Sequence, residues 1–184
     1  MKAKRNQANV LAKECMVSAL MQLLETKPLS AVSVTELTEK AGVSRMTYYR
    51  NYQSKEEIFQ DYLDDIVDSY RSDVASWPSR GNYNDYRNLL HCFRYFKKYK
   101  DFIRGLIDSG MGDMVLKALT DYIDETYYQE ELGQKFYYSL QSFSGALYNI
   151  YRAWIERNTM EEPEEMALVL CGMFQNQTAD STGV

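Results

Sequence analysis

An all-α fold is the class this sequence predicts, and three observations predict it. Apolar residues recur at helical spacing: Phe136, Leu140, Phe143, Leu147, Ile150 and Trp154 follow at intervals of 4, 3, 4, 3 and 4. Only three prolines interrupt 184 residues, of which 45% are hydrophobic. Capping residues and glycines fall where such helices should begin and end. No segment reads as a credible strand.

Each element follows from local chemistry. The first helix is expected over roughly Asn6 to Glu25, with Leu20, Leu23 and Leu24 on its apolar side and Thr26-Lys27-Pro28 stopping it. Ser33 followed by Glu36 is a capping-box pair, and Val34, Leu37 and Ala41 share one face, so a short helix runs to Ala41. Gly42 suits the positive φ of a chain leaving a helix. Val43 should plug the angle between two helices, and Ser44 caps the third helix, roughly Ser44 to Asn51. Ser54 and Glu57 form a second capping box and open a fourth helix, roughly Lys55 to Val74. Its inner side carries Ile58, Phe59, Tyr62, Ile66 and Tyr70. Trp77-Pro78 to Asn82 reads as a loop. Further helices are expected at about Asn84 to Lys100, Phe102 to Asp108, Asp113 to Tyr128, Glu131 to Arg157 and Pro163 to Asn176, with a breaker at Ser109-Gly110-Met111-Gly112. The last has proline at its first position and acids in its first turn. Gln177 to Val184 reads as a disordered tail.

Two short helices joined by a three- to four-residue turn containing glycine are the signature of a helix-turn-helix. The third helix, as the second of that pair, is then the one presented to the major groove of double-stranded DNA. Arg45 can give two hydrogen bonds to guanine O6 and N7, and Met46 and the Thr47 methyl can touch a thymine methyl. Thr35, Tyr49, Asn51 and Lys55 suit phosphate oxygens. Ser44 and Arg50 complete the candidate DNA-binding set. One residue at a time, these also fit a solvated helical hairpin with Tyr48 and Tyr52 as core. The whole of residues 33–57, SVTELTEKAGVSRMTYYRNYQSKEE, favours DNA.

That segment resembles the N-terminal domain of TetR-family regulators. The resemblance rests on Ala41-Gly42-Val43-Ser44, Thr47-Tyr48-Tyr49, Tyr52 and Ser54-Lys55-Glu56-Glu57. It implies that Arg45, Met46, Thr47 and Tyr49 face the groove and that Thr35, Asn51 and Lys55 meet the DNA backbone. Met46 stands where the family frequently has glycine, so no operator sequence carries over. The resemblance also implies an all-α fold: a three-helix DNA-binding domain, residues 1–54, and a helical ligand and dimerisation domain, residues 55–184.

Charge divides the same way. Residues 1–55 hold nine basic and four acidic residues, net +5, and the rest hold 12 basic and 22 acidic residues, net −10. A basic head on an acidic body gives phosphates a local positive surface. Lys2, Lys4 and Arg5 read equally as an arm along the DNA or as a solvated end.

In the long eighth helix, Tyr137, Ser144, Tyr148, Tyr151 and Ile155 form a second set beside the main stripe. A helix with two apolar faces must be covered from two sides. The expectation is a homodimer through Leu140, Phe143, Leu147, Ile150, Trp154, Val169, Leu170 and Met173, the alternative being core within one chain. Trp154-Ile155 followed by Pro163-Glu164-Glu165-Met166 resembles one C-terminal subtype of the family. The family resemblance further implies a cavity for a small apolar or aromatic effector, with Tyr95, Phe96, Tyr99, Phe102, Met114, Tyr122, Phe136 and Phe143 as candidates; helical aromatics are also ordinary core.

Other classes find little support. Cys15, Cys92 and Cys171 are odd in number and far apart, as in a reduced cytoplasmic protein. His91 and Cys92 are adjacent and cannot face one metal, so no metal or cofactor is expected. No apolar run approaches the roughly 20 residues of a membrane span. No nucleophile elbow or phosphate loop suggests an enzyme. The expected function is a homodimeric repressor of a pseudo-palindromic operator, released by a small effector. The alternative is an activator or co-regulator controlled by a protein partner.

Overall fold

The computed structural model describes the backbone of residues 2–174 and the side chains of residues 8–174. The expected tail at 177–184 lies outside the described residues. Nine α-helices follow one another among them: α1 Lys2–Leu24, α2 Val34–Ala41, α3 Arg45–Asn51, α4 Glu56–Ala75, α5 Tyr86–Lys97, α6 Lys100–Asp108, α7 Gly112–Tyr127, α8 Gly133–Glu156 and α9 Pro163–Phe174. No strand occurs among the described residues.

Differences from the sequence reading have local causes. The α1 backbone is already helical at Lys2, so Lys2, Lys4 and Arg5 belong to a helix rather than to an extended arm. Glu130–Leu132 forms a separate 3-10 turn, and Gly133, at φ 71°, breaks it from α8. The expected breaker is shorter, because α7 starts at Gly112. A side chain at Gly112 would put its Cβ 2.4 Å from the Tyr148 hydroxyl, so glycine lets α7 approach α8 there.

One buried apolar cluster runs from Met16 to Phe174. In the head, α1 supplies Met16, Val17, Leu20 and Leu23, α2 supplies Leu37, α3 supplies Tyr48, and Tyr52 follows α3. Helix α4 packs against α1 with its first turns and against α7 further on, burying Ile58, Phe59, Leu63, Ile66, Tyr70 and Val74 on one side. The body is closed by α5 on α9 and α7 on α8.

This arrangement corrects the reading of α8. Leu140, Phe143, Leu147 and Trp154 are 0 to 5% exposed, and Leu170 of α9 is fully buried. Ser144, Tyr151 and Ile155 from the second stripe are buried too. Most of both apolar faces is therefore covered within one chain, by α5, α6, α7 and α9, while Tyr137 stays exposed and Tyr148 half-buried. Of the expected interface, Ile150 is half-buried, and only Val169 and Met173 are exposed, at 50% and 59%.

His91, the single histidine, stacks on Tyr70 with centroids 5.2 Å apart and meets the Trp77 ring at 4.9 Å. Its Nε2 lies 3.2 Å from Asp73 Oδ2, at an angle too poor for a hydrogen bond. Burial holds the imidazole below its ordinary value of 6.5, against the pull of Asp73, with Lys98 and Arg87 adding to the depression. The folded state therefore takes up the proton less readily than the unfolded chain. The stability carried by the neutral ring is complete above pH 6.5 and is lost as pH falls below it. Urea unfolding should show lower stability at about pH 5.5 than at about pH 7.5, and His91→Phe should flatten that fall. Identical acid limbs in the two proteins would show that the ring does not couple to folding.

Candidate nucleic-acid interface

The head is built so that one side of α3 is anchored and the other is free. Ser33 Oγ accepts from the Glu36 amide at 3.1 Å and starts α2. Glu36 does not close the expected box: its carboxylate binds Lys27 Nζ at 2.5 Å, and that bond holds its pKa below the usual carboxylate range. Gly42 takes φ 65°, which lets its amide reach the Glu39 carbonyl and that of Val43 reach Thr38. Ser44 Oγ accepts from the Thr47 amide at 3.1 Å and starts α3.

On the anchored side, Tyr48 and Tyr52 are 2% and 4% exposed. The Tyr52 hydroxyl donates to Asp61 Oδ2 at 2.8 Å, and the same carboxylate pairs with Lys13 of α1 at 2.8 Å. Burial and that hydrogen bond push the Tyr52 phenol well above its ordinary value, so it stays a donor. On the free side, Met46 is 77% and Tyr49 62% exposed. Arg45 and Arg50 are exposed beside them, and Thr35 is exposed in the first turn of α2. The Ser44 and Thr47 hydroxyls lie 2.9 Å apart at the start of α3. Lys40, Arg45 and Arg50 make no ion pair among the described residues, whereas Lys13 and Lys27 do.

Two residues expected at phosphates have other partners. The Asn51 amide exchanges hydrogen bonds with Asn9 of α1 at 3.1 and 3.2 Å and donates to the Thr47 carbonyl at 2.8 Å. Lys55 Nζ donates to the carbonyls of Leu29 at 2.5 Å and Val32 at 2.6 Å, holding the segment before α2. Both side chains fix the angle of the helix pair. Nothing in sequence spacing showed this, because the partners lie 23 to 42 residues away.

The body holds a partly open cavity of about 80 Å³ lined from α4, α5, α6, α7 and α8. Of the sequence candidates, Phe96, Tyr122 and Phe143 line it. Tyr95 turns its hydroxyl to the Ile66 carbonyl, Phe102 packs on Phe59 and Tyr62, Tyr99 meets Tyr95 with its ring tilted, and Phe136 meets Tyr83; these, and Met114, lie outside the lining. The sequence reading missed Tyr70, Asn88, Cys92, Tyr127, Tyr148 and Tyr151 as lining. Tyr70, Tyr148 and Tyr151 were visible in helical stripes, but a stripe does not distinguish a cavity wall from filled core. No group of three potential metal ligands occurs among the described residues.

A cationic face with exposed Met46 and Tyr49, carried on a glycine-turned helix pair, defines a helix-turn-helix DNA-binding regulator. Residues 16–62 match bacterial regulatory proteins of the tetR family, and residues 84–176, half of the chain, match a transcriptional regulator C-terminal region. The chain belongs to the TetR family of transcriptional regulators. It is 44% identical over 53 residues to the HTH-type transcriptional regulator EthR of Mycobacterium tuberculosis, covering 29% of this chain and 24% of that one. It is 27% identical over 89 residues to the HTH-type transcriptional regulator AlkX of the same species, covering 48% of this chain and 42% of that one. The matched region thus spans less than half the length of either relative. A solved TetR regulator from Streptococcus agalactiae shares the fold, with TM-score 0.60 and 17% identity over 94% of this chain and 98% of that one.

Two substitutions separate reading from positioning. Arg45→Ala should cost on the order of 1–3 kcal/mol on a preferred site and relax preference at one base pair, seen in competition binding on single-base variants. Equal loss on random DNA would remove Arg45 from base reading. Lys55→Met should lower unfolding free energy by roughly 1–3 kcal/mol, since two carbonyls lose a charged donor. The slope of affinity against salt should fall by less than the ~1 unit expected of a lost phosphate contact. A full unit with unchanged stability would return Lys55 to the DNA backbone.

Proposed function

We propose that this regulator is a homodimeric repressor whose operator binding is relieved by a small uncharged effector. The observation that carries the reading is the cavity against α4, the helix that also packs on α1 of the DNA-binding head. An occupant that favours one seating of α4 over another changes the population of heads set for DNA.

On this reading Arg45, Met46 and Thr47 face base edges, and Thr35, Ser44, Tyr49 and Arg50 meet the sugar-phosphate backbone. Asn51 and Lys55 hold the frame. The second copy docks on the outer faces of α8 and α9. Leu168, Val169 and Met173 project there at 50 to 61% exposure. On α8, Ser142, Ala146, Asn149 and Ala153 recur at helical spacing as a low surface against which a second helix can lie close. An isologous pairing would set two α3 helices on half-sites about 34–36 Å apart, hence a pseudo-palindromic operator. A protein reading a genome in this way works in the cytoplasm.

Selection of bound sequences from a random duplex pool at moderate salt should return a pseudo-palindrome. The double variant Val169→Asp, Met173→Asp should sediment as a folded monomer and lose at least roughly tenfold in operator affinity. A selected site with no symmetry, or a variant that stays dimeric with full affinity, would overturn the arrangement. A selected site lying where binding raises transcription would replace repression by activation.

A further inference from the structure

The cavity and the outer surface meet along the seam between α4 and α7. Val67 of α4 and Ala118 of α7 line the cavity. The same two residues line a groove on the outside, between Asp64, Asp68 and Arg71 of α4 and Lys117, Asp121 and Glu125 of α7. Both are half-buried, as walls shared by two spaces should be. The grooves that run along α1 share no residue with the cavity. Among these grooves, the one between α4 and α7 is therefore the one backed by the cavity wall.

That seam is apolar at its base and charged at its rim. Across the rim, Arg71 Nη2 donates to Glu125 Oε2 at 2.5 Å. It is the one ion pair among the described residues that joins α4 to α7; Lys117 bonds Asp121 within α7, and Gln60 bonds Asp64 within α4. The Arg71 guanidinium also lies 5.1 Å from the centre of the Tyr122 ring, which lines the cavity. One cation thus spans the rim and covers a wall ring. Arg80 acts on the same ring, but it sits on the loop before α5 and does not tie α4 to α7. The Arg71 and Glu125 side chains stay 34% and 62% exposed, so their pair is screened by water and contributes little to stability. A weak bond across an apolar seam is readily broken and remade, which suits a latch better than a brace.

We infer that the α4–α7 seam is the door of the cavity and that Arg71 and Glu125 latch it. Its use in regulation rests on the cavity being the effector site; the door itself does not. The cavity of about 80 Å³ is far smaller than the roughly 300–1,000 Å³ common for bound small molecules, so an occupant enters only as the seam parts. Parting the seam moves α4, whose first turns carry Ile58 and Phe59 into the head core. Entry and the reseating of α4 are then one event.

Cys92 reports on the door without any effector. It lines the cavity, and burial pushes its thiol up to about 12. Cys171, 3% exposed on α9, lines no part of the cavity and reports on wider opening. Labelling of the full chain by iodoacetamide at about pH 8, followed peptide by peptide by mass spectrometry, separates the two. Arg71→Gln and Glu125→Gln should each speed Cys92 labelling roughly threefold and leave Cys171 unchanged. The double variant should match either single one, because all three lose the same bond. No acceleration at Cys92, equal acceleration at Cys171, or a double variant at the product of the two single effects would overturn the latch. Operator binding by the same variants tests the effector reading separately, and affinity should fall as Cys92 labelling rises. Faster Cys92 labelling with unchanged affinity would leave the door standing and remove control of DNA binding through α4.

Discussion

The structure depends on the continuous apolar face of α4. Ile58 and Phe59 at its start fill the head core beside Met16, Leu20 and Tyr48, while Leu63, Ile66, Tyr70 and Val74 further along fill the body. A helix of 20 residues that buries one face throughout cannot rotate without disturbing both cores at once. The alternative, a head tied on by a flexible linker, would leave the orientation of α3 independent of the body. Here the first and last turns of α4 pack against different neighbours, so one helix is shared by the head and the body.

Within the head, polar chemistry is divided between holding and presenting. Lys13, Asp61 and Tyr52 tie α1 and α4 to the end of α3, Asn9 and Asn51 tie α1 to α3, and Lys55 secures the segment before α2. These are part-buried bonds, where leaving one partner unpaired costs more than the pair itself contributes. Lys40, Arg45 and Arg50 keep their charges unspent, beside exposed Met46 and Tyr49. On the proposed reading, these two side chains are covered when the head meets DNA. The acidic body reinforces the division, since net −10 over residues 56–184 disfavours any other approach to a polyanion.

Much of this was legible in the sequence because the relevant signals are local. A cap at Ser44, a positive φ at Gly42 and a stripe through Ile58, Phe59 and Ile66 each depend on a few neighbouring residues, and each appears where spacing placed it. The residues whose partners spacing did not show share the opposite property. Lys55 looked like a phosphate contact because it is basic and lies at a helix start; its carbonyl partners come from 23 and 26 residues away. The stripe through Leu140, Phe143, Leu147 and Trp154 looked like an interface because it is strongly apolar. Periodicity tells which side of a helix avoids water, and it says nothing about whether the cover comes from the same chain. The most apolar stripe was the one its own chain used first, and what is left outside is the weaker row of Leu168, Val169 and Met173. The cavity was only partly legible for a related reason: Tyr95 and Tyr70 look alike in sequence, yet one hydroxyl reaches the Ile66 carbonyl and the other reaches none.

That last difference bears on how a small molecule could govern a distant helix. Filling an apolar void contributes binding free energy whichever way α4 is seated, and equal stabilisation of two states shifts nothing. Control needs an interaction available in only one seating. Apolar contacts are poor candidates, because side chains such as Leu63 and Val67 can follow a shifting ring with little loss. The aromatic cluster around Tyr70 is a better one, since interlocked rings resist independent shifts and Tyr70 is carried by α4 directly. His91, Tyr95, Phe96 and Tyr122 all lie with ring centroids 5.1 to 5.3 Å from it, so the ring cannot shift without displacing its neighbours. On the proposed reading, an occupant that displaces this cluster displaces α4, and the head packed on the same helix moves with it.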